Sequence, residues 1–386
     1  MNATFAQSPS IEAAVDDMAL RADPVVAKLE TSGFRDQWRA VAGLGVLGDR
    51  QPPGQQETGE LGPVTRAVTA IEGIGRAGAP AGLCYAMASQ WFGLQFPLRD
   101  VLSGQAWSDL GAVANGEVLL CHALTEEGGG SDPLAMETRA DRLDDGGFVL
   151  TGRKAYVTAA PVADIALVFA RTSPGAHPFA LSPFLVDLAA PGVSRSSPFP
   201  KTALVDAPMG ALDFDEVRLP ANSMVGEEGA GLALLTATTT WERGLLLSYA
   251  LGPMRRVLDR TIAWATSRQH FGRRMGASHL VAGRISDMAL ALLRCRRLLY
   301  GMAERLDRGV RTNQLTVDAA LTKISIAEDY LSFTRHAAAL GGVRAFIEES
   351  GLTADLADPM AASTYAGPND LLRVSVARGL GLPVQN

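Results

Sequence analysis

Three short segments carry residue types suited to holding a ligand. The first is Leu124-Thr125-Glu126-Glu127-Gly128-Gly129-Gly130-Ser131-Asp132, which follows a β-like run. Consecutive glycines let a backbone approach a ligand closely, and their amides can hold an anion or the polar edge of a ring. Thr125 and Ser131 add hydroxyl groups, while the missing Lys after the glycines argues against a P-loop. The second segment is Gly152-Arg153-Lys154-Ala155-Tyr156-Val157-Thr158 in a β context. Tyr156 and Thr158, two apart on a strand, share one face, where they could stack on a flat ring and bond its edge. The third, Ser267-Arg268-Gln269-His270-Phe271-Gly272, ends a long helical pattern, and Arg268 is a natural phosphate partner. Each also has an ordinary reading: a tight turn, a plain sheet face and a helix-end cation.

The elements that must position these segments follow from texture along the chain. Up to about residue 117 the sequence reads as helices broken by Gly and Pro. Ile11 to Leu29 and Val64 to Phe96 are the helical stretches, with a polar loop from Gln51 to Pro63 between them. From 118 to 226 short β-rich runs alternate with turns, and Asp144-Asp145-Gly146-Gly147 is a hairpin signal. From 227 to 386, long Ala-, Leu- and Arg-rich segments joined by short loops predict a helical bundle, with Gly341-Gly342 stopping the helix that precedes them. The expected class is α+β: helical domain 1–117, middle antiparallel β domain 118–226, C-terminal bundle 227–386.

Composition bounds the function classes. The 386 residues are 47% hydrophobic and 20% charged, with net charge -6, so the chain is globular and has no electrostatic case for nucleic acid. Cys84, Cys121 and Cys295 lie far apart, with neither a disulfide framework nor metal-ligand spacing. No signal peptide and no membrane-spanning run is read, and the expected location is the cytoplasm.

Taken together, in this order and domain texture, the segments resemble the acyl-CoA dehydrogenase family. Thr125 to Asp132 matches the family's Thr-Glu-x-Gly-x-Gly-Ser-Asp, Gly152 to Thr158 its Gly-x-Lys-x-aromatic-x-Thr, and Arg268 to Gly272 its Arg-x-x-Phe-Gly. The likeness runs from about Val118 to the C-terminus and is weaker before it. It implies that Leu124, Thr125, Gly130, Ser131, Tyr156 and Thr158 contact FAD, with Tyr156 in place of the usual Trp. It implies further that Arg268 and Phe271 reach the FAD of a neighbouring subunit, in a homodimer or homotetramer, and that the Gly341-Gly342 pair belongs to the cofactor site, although the glutamine the family carries a few residues earlier is absent.

One departure from the family pattern directs the chemistry. Many members place their catalytic base in a C-terminal Tyr-Glu-Gly-Thr, and this chain has Tyr365-Ala366-Gly367-Pro368. A subset supplies the carboxylate from the first long bundle helix, just before an arginine. That place reads Trp241-Glu242-Arg243-Gly244, so the resemblance makes Glu242 the base and lets Arg243 hold the pocket or the substrate's polar arm. The resemblance implies that the Ala366 backbone amide keeps its place as a donor to the thioester carbonyl. Removing a hydrogen beside a thioester needs a desolvated base and donors at the carbonyl oxygen.

The expected reaction is α,β-desaturation of an acyl or aminoacyl thioester. Ala160 to Asp164, Trp241 to Gly244 and Gly367 to Asp370 look like the prolyl- and acyl-carrier-protein dehydrogenases of secondary metabolism. They suggest a carrier-bound substrate, with CoA as the other donor. The expected electron acceptor is an electron-transfer flavoprotein or oxygen, and the sequence does not choose between them. Two competing readings remain: a flavin monooxygenase or oxidase on the same fold, and a non-catalytic scaffold that kept it.

Overall fold

The computed structural model describes residues 8–29, 32–47, 60–102, 110–352 and 355–384; residues 51–59 of the expected polar loop lie outside them. The chain begins with α1 (Pro9–Val26), α2 (Phe34–Ala42), α3 (Pro63–Ala77) and α4 (Ala81–Gln90). α4 runs into a π turn, Trp91–Gln95, and on into α5 (Phe96–Leu102), followed by α6 (Leu110–Ala114). The strands are β1 (Leu120–Ala123), β2 (Arg139–Arg142), β3 (Phe148–Thr158), β4 (Ile165–Arg171), β5 (Leu181–Asp187), β6 (Val193–Arg195) and β7 (Met209–Leu219). α7 (Gly231–Leu245) and α8 (Leu251–Ser267) open the last part, and a small hairpin, β8 (Gln269–His270) with β9 (Arg273–Arg274), comes next. α9 (His279–Asp307), α10 (Thr316–Gly341), α11 (Ala357–Ala361) and α12 (Asn369–Gly379) complete the chain.

The β segment forms one seven-stranded sheet in the order β1-β4-β2-β3-β7-β6, with β5 also paired to β4. The Asp144–Gly147 signal is a hairpin turn: Arg142 stands opposite Phe148, and Gly146 takes φ 85°. The antiparallel expectation holds for β2–β3, β3–β7, β4–β5 and β6–β7. It needs correction at β1, which pairs with β4 in parallel, and at a single parallel β2–β4 contact. The connection from β1 to β4 is long enough to contain β2 and β3, so β4 can return in the direction of β1. β4 is paired on both edges, and its interior residues from Ala166 to Ala170 are buried.

The helices before and after the sheet pack on each other, α3 against α8 and α9 as well as α1. Polar ties specify that packing. Asp307, the last residue of α9, accepts bonds from the Val64 and Thr65 amides at 2.8 and 2.9 Å and so caps the first turn of α3. Arg296 of α9 lies between Glu12 of α1, at 2.8 Å, and Glu72 of α3, at 3.3 Å. Glu72 also accepts from the Tyr300 hydroxyl at 2.7 Å. α10 ends where Gly341-Gly342 predicts, with Gly342 at φ 58°, a conformation that suits glycine. Among the described residues no helix is long and apolar enough to cross a membrane.

Candidate active site

A cavity of about 960 Å³ opens between the sheet, α4, α7 and the turn before α12. Its size suits a cofactor and a substrate arm. Leu124, Thr125, Gly130, Ser131, Tyr156 and Thr158 line it from the sheet side, and Glu242, Arg243 and Ala366 from the helical side. Segments separated by up to 242 positions in the chain thus meet in one place.

The sheet side is a built cradle. At Gly130 a Cβ would lie 2.8 Å from Thr125 Cγ2, so the turn closes on itself only with glycine there. Behind the turn, Glu126 accepts the Glu137 amide at 2.6 Å, the Thr138 amide and hydroxyl at 3.0 and 2.6 Å, and Lys154 Nζ at 2.8 Å. Burial alone would raise the Glu126 pKa, but the Glu137 amide, Lys154 and Thr138 bring it down to about 2. Lys154 is fully buried, and burial lowers its pKa to about 8 against the pull of Glu126. The strand then shifts register between Lys154 and Val157, and Tyr156 takes φ 57° at this bulge. The bulge leaves the Tyr156 ring 57% exposed on the cavity wall, a flat surface with the Thr158 hydroxyl beside it.

The helical side carries the titratable groups. Glu242 lies near the end of α7, against Gly93 of the π turn, where a Cβ would sit 3.4 Å from Glu242 Oε1. Burial raises its pKa to about 7; Arg243 and a hydrogen bond from Ser89 act in the opposite direction. Arg243 Nε donates to the Ala366 carbonyl at 3.0 Å. Lys323 Nζ donates to the Gly367 carbonyl at 2.9 Å and to Asn369 Oδ1 at 2.8 Å. Burial, and then Arg243, lowers the Lys323 pKa to about 7. Two basic side chains therefore hold consecutive carbonyls of one turn, in which Ala366 and Gly367 take φ 52° and 95°. Among the described residues the Ala366 N–H has no hydrogen-bond partner. The Tyr365 hydroxyl, 2.7 Å from that of Tyr249, anchors the turn on its other side.

Arg268, Phe271, Gly341 and Gly342 do not line this cavity. The Arg268 guanidinium lies over the Trp264 ring at 5.3 Å, and Phe271 is 92% exposed at the tip of the β8–β9 hairpin. Gly341 lines a separate small pocket with Trp264 and Arg260. Among the described residues no group of three or more His, Cys, Asp or Glu is placed to hold a metal. Ser89, Gly93 and Lys323 belong to none of the motifs that the sequence carries. Lys323 had a signal, since Ala320, Ile324 and Ala327 around it mark the buried face of α10, and a lysine there needs partners. Ser89 and Gly93 had none, because their place depends on the π turn.

Two family models match. The one for the middle domain of acyl-CoA dehydrogenase covers residues 121–217, and the one for its C-terminal domain covers 229–381. The chain belongs to the acyl-CoA dehydrogenase family and is an FAD-dependent oxidoreductase. The L-prolyl-[peptidyl-carrier protein] dehydrogenase of Pseudomonas fluorescens is 32% identical, over 90% of this chain and 90% of that protein. The crystal structure of the prolyl acyl carrier protein oxidase AnaB superposes with TM-score 0.87 at 27% identity, covering 98% of this chain and 100% of AnaB. PigA with FAD and proline superposes with TM-score 0.84 at 27% identity, covering 98% and 100%.

Proposed function

We propose that the protein desaturates an aminoacyl thioester, an L-prolyl group on a carrier protein, with Glu242 as the base. The observation that carries this reading is a carboxylate buried at the end of α7, the one that lines the cavity of the Ala366 turn among the described residues. Ala366 itself has no side chain that can take a proton. The relatives named above support the prolyl carrier protein as donor, while CoA would present the same thioester.

Bound in the cradle, FAD supplies the acceptor for the β-hydride. Thr125, Ser131 and Thr158 offer it hydroxyl groups, Gly130 a close backbone approach and Tyr156 a stacking face. The protein's own part is proton chemistry and positioning. The Ala366 amide receives the thioester carbonyl and stabilises the charge that develops on its oxygen. Glu242, made basic by burial, takes the α-proton. Arg243 keeps the amide donor in place by holding its carbonyl. The cavity continues between α7 and α12 along Leu232, Leu235, Leu371 and Ser375, a lining suited to an extended pantetheine arm. Arg268, Phe271, Gly341 and Gly342 are assigned to the FAD of a neighbouring subunit, which makes the active enzyme a homo-oligomer. The exposure of Phe271 in the single chain supports that assignment.

No relative named here is a monooxygenase, and a base has no task in simple hydroxylation. The name of AnaB favours oxygen as the electron acceptor. The test mixes wild type and Glu242→Gln, each with equal bound FAD, anaerobically with prolyl-carrier and acyl-CoA thioesters. Flavin bleaching with the prolyl carrier in wild type alone is expected. Equal bleaching in both proteins removes Glu242 from the mechanism, and bleaching only with acyl-CoA removes the carrier protein.

A further inference from the structure

Behind the cavity wall lies a second pocket of about 10 Å³, room for one water molecule. Ser89, His122 and Thr158 line both spaces, and Trp38 and Gln90 line the small one. Three polar atoms on these side chains, Trp38 Nε1, Gln90 Nε2 and His122 Nε2, are buried with no hydrogen-bond partner in the protein. Trp38 and Gln90 are 1% and 2% exposed, so solvent cannot serve them. Buried polar atoms are almost always paired, and three orphans around one pocket point to a shared partner.

The chemistry of the three atoms defines that partner. An indole N–H can only donate. The Gln90 amide is oriented by its oxygen, which accepts the Leu120 N–H at 2.8 Å, so its nitrogen is also a donor. Burial, and then Lys154, lowers the His122 pKa to about 4, so the ring is neutral at neutral pH and one nitrogen accepts. The partner must therefore accept two bonds, and it donates to His122 in the tautomer that leaves Nε2 unprotonated. Ser89, on the same wall, is the residue whose hydroxyl bonds the Glu242 carboxylate. Having given its hydrogen to Glu242, it can accept one more bond on its oxygen.

We propose that this pocket binds one internal water, which accepts from Trp38 and Gln90 and donates to His122 and Ser89, keeping the Ser89 hydroxyl turned onto Glu242. Two lone pairs and two hydrogens satisfy all four neighbours. A larger ligand does not enter, and an ion of either sign would leave a donor or an acceptor unmet. Ser89 is then a positioning residue for the base, with the water as its support. The other groups that face Glu242 are Arg243 on its own helix and Tyr85 on α4.

The site stands without the functional reading; its link to the base rests on that reading, so two measurements separate them. The first is a crystal structure of the FAD-loaded enzyme in which ordered waters are visible. One density peak within hydrogen-bond distance of Trp38 Nε1, Gln90 Nε2 and His122 Nε2 is expected, and its loss in Trp38→Phe. No peak in wild type overturns the site. The second is the pH profile of flavin reduction in wild type, Trp38→Phe, Ser89→Ala and the double variant, at equal bound FAD. The Ser89 bond acts to lower the Glu242 pKa, so each single variant should move the profile to higher pH. The double variant should move it no further than Ser89→Ala alone. A profile unmoved in Trp38→Phe overturns the link while the density still decides the site. If Glu242→Gln reduces flavin like wild type, the assignment of the base fails and the site does not.

Discussion

Glu242 and Glu126 are two largely buried carboxylates on opposite sides of one site, and their acidities are pushed in opposite directions. Burial raises both. At Glu126 the Glu137 and Thr138 amides, the Thr138 hydroxyl and Lys154 reverse that push and bring the pKa down to about 2. At Glu242 only Arg243 and Ser89 oppose it, and the pKa stands at about 7. Arg243 directs its Nε to the Ala366 carbonyl, so that donor is not spent on Glu242. Deeper burial at Glu242 and the larger set of hydrogen bonds at Glu126 together push the two acidities apart.

Substitution should separate the two most sharply. Glu242→Gln is expected to slow thioester-driven flavin reduction by about 100- to 10,000-fold, the usual worth of a general base, with FAD content unchanged. Glu126→Gln should do the reverse. It leaves the buried Lys154 without its anion, which costs about 3–5 kcal/mol of stability, and FAD is lost because the Thr125 turn loosens. Denaturant unfolding and flavin content measure both effects. An Glu126→Gln protein that folds normally and keeps FAD would break the contrast.

pH sharpens it further, with opposite signs. The folded-state pKa of Glu242 is raised, so its contribution to stability is full below its unfolded value of 4.5 and is lost as pH rises through about 7. Glu242→Gln should therefore melt above wild type at pH 8 and with it near pH 4, whereas flavin reduction by wild type should rise with pH through about 7. Glu126 is depressed, so its contribution is present above 4.5 and is lost as pH falls toward 2. The deficit of Glu126→Gln should accordingly shrink in acid. The smallest effect is expected at Lys323→Met, which frees the Gly367 carbonyl. Reduction should slow about ten- to a hundredfold, the cost of a misplaced donor, with FAD retained. A rate equal to wild type would show that Arg243 alone holds the turn.

Much of this was legible in the sequence. The Asp144–Gly147 hairpin and the Gly341-Gly342 helix stop carry their own local chemistry. Thr125, Tyr156 and Glu242, which the fold brings to one cavity, stand in motifs that are continuous in the chain. What escaped depends on distant partners. The parallel pairing of β1 with β4 joins residues about 45 positions apart, and no local pattern sets strand direction. Lys323 and Ser89 acquire roles only from the carbonyls and the carboxylate brought opposite them by packing. Arg268 and Phe271 are singled out by their motif, and the fold leaves Phe271 exposed away from the chain's own cavity.

The cap on α3 has a consequence in time. The Val64 and Thr65 amides are satisfied by a carboxylate 243 and 242 residues further along the chain. During synthesis the first turn of α3 must stay uncapped while the whole β segment emerges. Contacts of such long sequence separation form late. The sheet, whose strands all lie within 120–219, is complete long before. A chain cut before Asp307 should show protected strand amides beside freely exchanging Val64 and Thr65 amides under hydrogen exchange. On the ribosome, then, the sheet would be ready before Asp307 arrives to fix the start of α3 against α9.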